Sequence, residues 1–253
     1  MAFLETILVA VSTYSALPVP QFEWKEKNMR YAICFLPAVG LICAAMLLLW
    51  NSFCCWIHVN PVLFAVVAVC LPLLVTGGIH MDGYMDTVDA LASHQSRERK
   101  LEIMKDSSCG AFAVLYCGVY LLLHFGLFFV IYEEGSVVSY PLVYVLSRAL
   151  SALCAITMPN ARRNGMLCAF TANTQKNIAA TAMIVLSVLT SAALIWVDVL
   201  CGGVAVVCSF CTFLGYRWMA MKTFGGVTGD TSGYFLQICE LAALAGVWLG
   251  GLL

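Results

Sequence analysis

The sequence predicts an all-α, polytopic integral membrane helical bundle with seven or eight spans. Three observations predict it. Hydrophobic residues fill 62% of the 253 positions and charged residues only 11%, against roughly 45–50% and about 25% in soluble domains. The apolar residues gather in runs of about 20, the length a helix needs to cross a bilayer. The basic residues gather between alternate runs. Water cannot cover so much apolar surface, but lipid can. The runs lack the alternation of barrel strands, so they must be helices that satisfy their own backbones.

The first segment, 2–17, is short and interrupted by Glu5. It reads as a tilted span or a re-entrant piece. Without a positive n-region it does not read as a cleaved signal. Seven longer runs follow, at 31–50, 61–77, 111–132, 139–158, 177–197, 199–215 and 234–253. Only Arg148 and Glu240 place a charge inside these seven. A charge there is expensive and is normally functional or paired.

The loops set the orientation. Lys25, Lys27 and Arg30 form one basic group, and Arg97, Arg99, Lys100 and Lys105 a second. Arg162, Arg163 and Lys176 form the third, and Arg217 and Lys222 the fourth. The intervening loops, near 51–60, 133–138 and Asp198, hold no lysine or arginine. The positive-inside rule therefore puts the four basic loops in the cytoplasm and the C-terminus outside. The chain reads as a single membrane domain over 1–253, without a repeat or a soluble domain. The net charge of −1 gives no reason to expect a nucleic-acid partner. The 13 cysteines lie mostly in apolar runs and read as small hydrophobes in a reduced compartment. Cys208 and Cys211 lack the second pair that zinc would need.

The chemistry concentrates at 76–110. Asp82, Asp86 and Asp89 fall at i, i+4 and i+7, which puts three carboxylates on one helical face. Like charges so close repel, and a divalent cation relieves the repulsion. Magnesium prefers oxygen ligands and bridges carboxylates to substrate phosphates. A single juxtamembrane aspartate would read as a solvated cap, but three on one face read as a metal site. His80 points off that face. The stretch 95–106 reads as an interfacial helix, either resting on anionic lipid or clamping phosphate through Arg97 and Lys105. The turn 159–165 supplies Arg162. Arg148 could reach a diphosphate or pair with an acid.

The last feature is 225–233, GGVTGDTSG. Its glycines, including Gly225, Gly226 and Gly229, allow close backbone approach to a ligand. Thr228, Thr231 and Ser232 add hydroxyls, and Asp230 adds a carboxylate. It precedes the last span, so a helix N-terminus could face a phosphate. It is not a Walker A loop, because no GK[ST] follows. Acids for a metal and bases for phosphates thus share one face, which suits phosphoryl transfer.

At these residues the sequence resembles the cobalamin synthase family (adenosylcobinamide-GDP ribazoletransferases). The pattern GGxHxDGxxDTxDG runs from Gly77 to Asp89, and LEIMKDS follows within Arg97 to Gly110. Ser147-Arg148, Ala161-Arg162 with Gly165, and GGxTGDTxG from Gly225 to Gly233 also match, as do LPVP at Leu17 to Pro20 and FLPAVG at 35–40. The resemblance covers nearly the whole chain. Ala16 stands where an arginine is usual, Ala90 where a glycine is usual, and Arg163 where a proline is common.

The resemblance implies a reaction. Adenosylcobinamide-GDP is joined to α-ribazole, or to its 5′-phosphate, giving adenosylcobalamin or its 5′-phosphate and GMP, with Mg²⁺ as cofactor. Under it, Asp82, Asp86 and Asp89 hold the metal, with Asp106 or Asp230 completing the shell. Asp82 and Asp86 also count as catalytic, Asp86 as an acceptor for the hydroxyl proton. Arg97, Lys105, Arg148 and Arg162 stabilise phosphate charge. His80, Gly225, Gly226, Thr228, Gly229 and Thr231 contact substrate. The expected setting is the cytoplasmic face of the inner membrane, with the two substrates and the lipid bilayer as partners. A homo-oligomer, or a complex with other cobalamin-assembly enzymes, is left open. The rival readings are a CDP-alcohol phosphotransferase, whose DGxxAR element is missing here, and a cobinamide transporter, which would place its polar site near the bilayer midplane.

Overall fold

The computed structural model describes residues 2–20, 30–106, 108–162 and 164–253, with side chains from Glu5 onward. Lys25, Lys27 and Arg163 lie outside the described residues. Helix α1 covers Ala2–Tyr14, and α2 covers Leu36–Ile57 after a 3₁₀ turn at Ala32–Phe35. Then follow α3 (Pro61–Thr76), α4 (Ile79–Ala92), α5 (Arg97–Ile103) and α6 (Ala111–Glu133). The remainder is α7 (Val143–Thr157), α8 (Met166–Ala172), α9 (Lys176–Val197), α10 (Val199–Met219) and α11 (Gly229–Gly251).

Six helices are long and apolar enough to cross a membrane: α2, α6, α7, α9, α10 and α11. A seventh crossing follows if α3 and α4, bent by 94°, count as one. With 13 residues, α1 extends only about 20 Å, short of a bilayer core. The run expected to end at 50 continues to Ile57, where His58 takes a left-handed φ of 56° and closes the helix.

Local sequence explains the main breaks. Asn60 accepts a bond from the Val62 amide at 2.8 Å, and Pro61 starts α3, where its missing N–H costs nothing. At the far end of α3, Gly77 and Gly78 have φ of 63° and 79°. Only glycine takes two such values in succession cheaply, so the chain turns there and carries the polar run 79–92 away from the direction of α3. The stretch expected as a loop through 233 is corrected. The Thr228 hydroxyl and backbone exchange bonds with Thr231 in a capping box, and helix α11 starts at Gly229.

Packing follows residue size. Gly246 and Gly250 of α11 face Ala205 and Cys201 of α10, where an added Cβ would sit 2.9 and 2.5 Å from the opposing Cα atoms. Small residues of this kind let membrane helices approach closely. Helix α7 is buried along nearly its whole length, and the core forms around it from α2, α10 and α11. Phe112, Leu115 and Leu122 of α6 and Ile184 and Val188 of α9 are exposed, the pattern of faces turned to lipid.

Candidate functional site

The three polar segments named by the sequence meet at one end of the bundle. The turn after α7 pairs with the segment before α11: Val227 donates to the Pro159 carbonyl and Ala161 donates to the Val227 carbonyl, both at 2.9 Å. This pairing carries Arg162 onto α11, where its guanidinium lies 2.9 Å from the Asp230 carboxylate. The same guanidinium donates to the Leu101 carbonyl of α5 at 3.2 Å. Arg97 of α5 packs its guanidinium against Gly225.

Two glycines bring the acids together. A Cβ on Gly83 of α4 would stand 2.8 Å from the Asp230 carbonyl oxygen, and one on Gly233 of α11 would stand 2.8 Å from the His80 carbonyl oxygen. Helices α4 and α11 therefore touch backbone to backbone. As a result the carboxylates of Asp82, Asp230 and Asp89 and the Arg162 guanidinium all act electrostatically on Asp86. Beneath Asp82 and Asp230 lies a cavity of about 270 Å³, reaching between α1, α4, α7, α8 and α11. His80 also lines it. His80 is only 6% exposed, and its Nε2 has no hydrogen-bond partner.

The structure thus brings together His80, Asp82, Asp86, Arg162, Gly229 and Asp230, with Arg97 beside them. It places the other expected site residues elsewhere. Asp89 accepts from the Gly110 amide at 2.5 Å and the Ala113 amide at 2.9 Å. It satisfies orphan donors at the start of α6, as a capping group does. Asp106 and Lys105 are exposed. Asp106 accepts from the Ser108 amide and hydroxyl, bonds that hold its carboxyl below the usual range.

Arg148 is a correction. It is 1% exposed in the core, with its guanidinium 2.6 Å from Glu240 of α11. It also donates to the Tyr144 carbonyl at 2.9 Å, and Ser147 donates to the same Glu240 oxygen at 3.0 Å. Two intramembrane charges thus neutralise each other, as their cost in lipid requires. Thr228 and Thr231 are corrections too, since their hydroxyls are spent on the cap of α11 and Thr231 also bonds to Tyr216. Gly225 and Gly226 make their close approaches to Arg97 and to the Pro159 carbonyl, not to open space. Among the described residues, no three His, Cys, Asp or Glu side chains already stand as a metal-binding group.

Sequence reasoning missed the cavity walls. Tyr14, Ile33, Leu36, Ala155 and Leu236 line the cavity, yet each lies in an apolar run that gives no local signal of facing a site. It also missed the cap made by Asp89. Gly110 at the start of an apolar run marks a helix start without a local capping side chain, and that was the available hint.

A family model described as "Cobalamin-5-phosphate synthase" matches residues 6–248. An adenosylcobinamide-GDP ribazoletransferase of Lachnoclostridium phytofermentans is 39% identical over 96% of this chain and 93% of its own length. A protein of the same description from Alkaliphilus oremlandii is 31% identical over 97% of this chain and 98% of its own. Another, from a Geobacillus species, is 31% identical over 96% and 94%. No solved structure matches.

Proposed function

The chain belongs to the cobalamin-5-phosphate synthase family, and from that premise we propose how it works. It is a transferase that joins adenosylcobinamide-GDP to α-ribazole or its 5′-phosphate in cobalamin biosynthesis. A ribose hydroxyl attacks the phosphorus on the cobinamide side. The new P–O bond replaces the bond to the bridging oxygen, GMP leaves, and the hydroxyl proton passes to a site carboxylate, for which Asp86 is placed among Asp82, Asp230 and Arg162.

The single observation carrying this reading is the ion pair of Arg162 with Asp230 beside Asp82 at the mouth of one cavity. Arg162 is held from two sides and stays aimed at the site, so it can meet phosphate oxygens without reorganising. Arg97 adds a second guanidinium on the same side. The oxygen donors Asp82, Asp86 and Asp230 fit Mg²⁺, a hard cation that takes carboxylate and water. Bound there, Mg²⁺ would neutralise charge on the diphosphate. Asp89 and Asp106 lie outside this donor set because their carboxylates are engaged elsewhere.

Orientation follows from charge. The described basic residues Arg97, Lys105, Arg162 and Lys222 all belong to the loops and helix ends around the site. The positive-inside rule then sets the site on the cytoplasmic face of the inner membrane, where charged, water-soluble substrates reach it. The test is GMP release by purified protein in detergent. Asp82→Asn and Asp82→Ala should each lose at least about 10²-fold in turnover. Near-normal turnover by either folded variant removes Asp82 from the metal site.

A further inference from the structure

We infer that the cavity beneath Asp82 and Asp230 is the seat of the α-ribazole base, with His80 Nε2 as its hydrogen-bond donor. The inference rests on the proposed transferase reading and names the place of one of its two substrates.

Size comes first. At about 270 Å³ the cavity lies just below the roughly 300–1,000 Å³ of ordinary small-ligand sites. It can take a bicyclic base with part of its ribose, and it cannot take a corrin macrocycle. Wall chemistry comes second. Ile33, Leu36, Ala155 and Leu236 line the cavity, so the ligand part it favours is flat and apolar. Guanine would bring a rim of donors and acceptors that these walls leave unpaired, at a cost of a few kcal/mol. A benzimidazole brings one ring nitrogen acceptor.

That acceptor meets the third observation. His80 is more than nine-tenths buried, lines the cavity, and has an Nε2 without a partner. A buried polar atom left unmade is costly, and an N–H donated to the base nitrogen relieves the cost. Geometry supplies the last link. The cavity is walled below by apolar residues and bordered by Asp82 and Asp230, with Arg162 paired to Asp230. A base seated inside directs its ribose outward, toward the groups that handle phosphate. No lysine or arginine lines the cavity, so a 5′-phosphate would sit at the mouth.

The test uses the full protein in detergent with two readouts: equilibrium binding of α-ribazole alone, and separate KM values for α-ribazole and adenosylcobinamide-GDP. Ala155→Leu fills the cavity, and His80→Leu removes the donor while keeping bulk. Ala155→Leu should weaken α-ribazole binding and raise its KM about tenfold or more, and His80→Leu about fivefold, while KM for adenosylcobinamide-GDP stays within twofold. If Ala155→Leu fails to fold, His80→Leu decides alone. Unchanged α-ribazole binding in the folded variants, or a rise confined to the donor's KM, overturns the inference. Absence of any GMP release by the wild-type chain would instead overturn the transferase reading, and α-ribazole binding would still report on the cavity.

Discussion

Gly83→Ala tests the idea that close helix contact builds the site. The new Cβ would stand 2.9 Å from the Asp230 Cα and 2.8 Å from its carbonyl oxygen. Carbon atoms prefer about 3.5–4.0 Å, so α4 and α11 must part by at least about 0.6 Å. Overpacking of this kind costs about 1–3 kcal/mol. Exchanging glycine for alanine within a helix returns about 1 kcal/mol, so the net loss of stability is modest and the protein should still fold. Activity is more sensitive. The shift separates Asp82 and Asp86 from Asp230 and Arg162, and a displacement near 1 Å can cost about 10²-fold. The assay pairs a thermal melt in detergent with kcat/KM for GMP release. The expected result is a small change in melting and a fall of roughly 30- to 100-fold in kcat/KM. Turnover within threefold of wild type in a folded variant would refute the reasoning, because the acids would then work without their present spacing.

Other outcomes follow from the same contacts. Arg148→Met leaves Glu240 as an unpaired charge with its side chain only 2% exposed. It should cost about 3–5 kcal/mol, read as lower melting and yield, and the double variant Arg148→Met/Glu240→Leu should recover both. A double variant that folds well but releases no GMP would return Arg148 to the chemistry. Asp89→Asn keeps the acceptor for Gly110 and Ala113 and should behave as wild type, whereas Asp89→Ala should lose about 1 kcal/mol of stability. If Asp89→Asn loses turnover as Asp82→Asn does, Asp89 is a metal ligand. Chelation with EDTA should abolish GMP release and added Mg²⁺ should restore it; full activity after exhaustive chelation would exclude the metal.

The legible part of the site was its chemistry class, and the illegible part was its membership. The spacing of Asp82, Asp86 and Asp89 predicts one helical face, and helix α4 provides it. Whether each acid on that face is free depends on what packs against it. The start of α6, 21 residues further along, claims Asp89. The GGVTGDTSG segment reads as a ligand loop because glycines and hydroxyls look alike whether they bind a phosphate or cap a helix. Only the bond from the Thr231 amide to the Thr228 hydroxyl distinguishes the cases.

The sequence by itself determined the spans and the end of the bundle where the polar segments collect. Both depend on contiguous residues: the length of an apolar run decides whether a helix crosses lipid, and local basic charge decides which end faces the cytoplasm. Tertiary structure alone decided which polar side chains are partners. Arg148 meets Glu240 across 92 positions, Arg162 meets Asp230 across 68, and His80 opens into a cavity that several distant helices enclose. A buried charge or hydrogen-bonding atom must be satisfied by whatever the crossing helices bring to it, and that identity is absent from any stretch of sequence read alone.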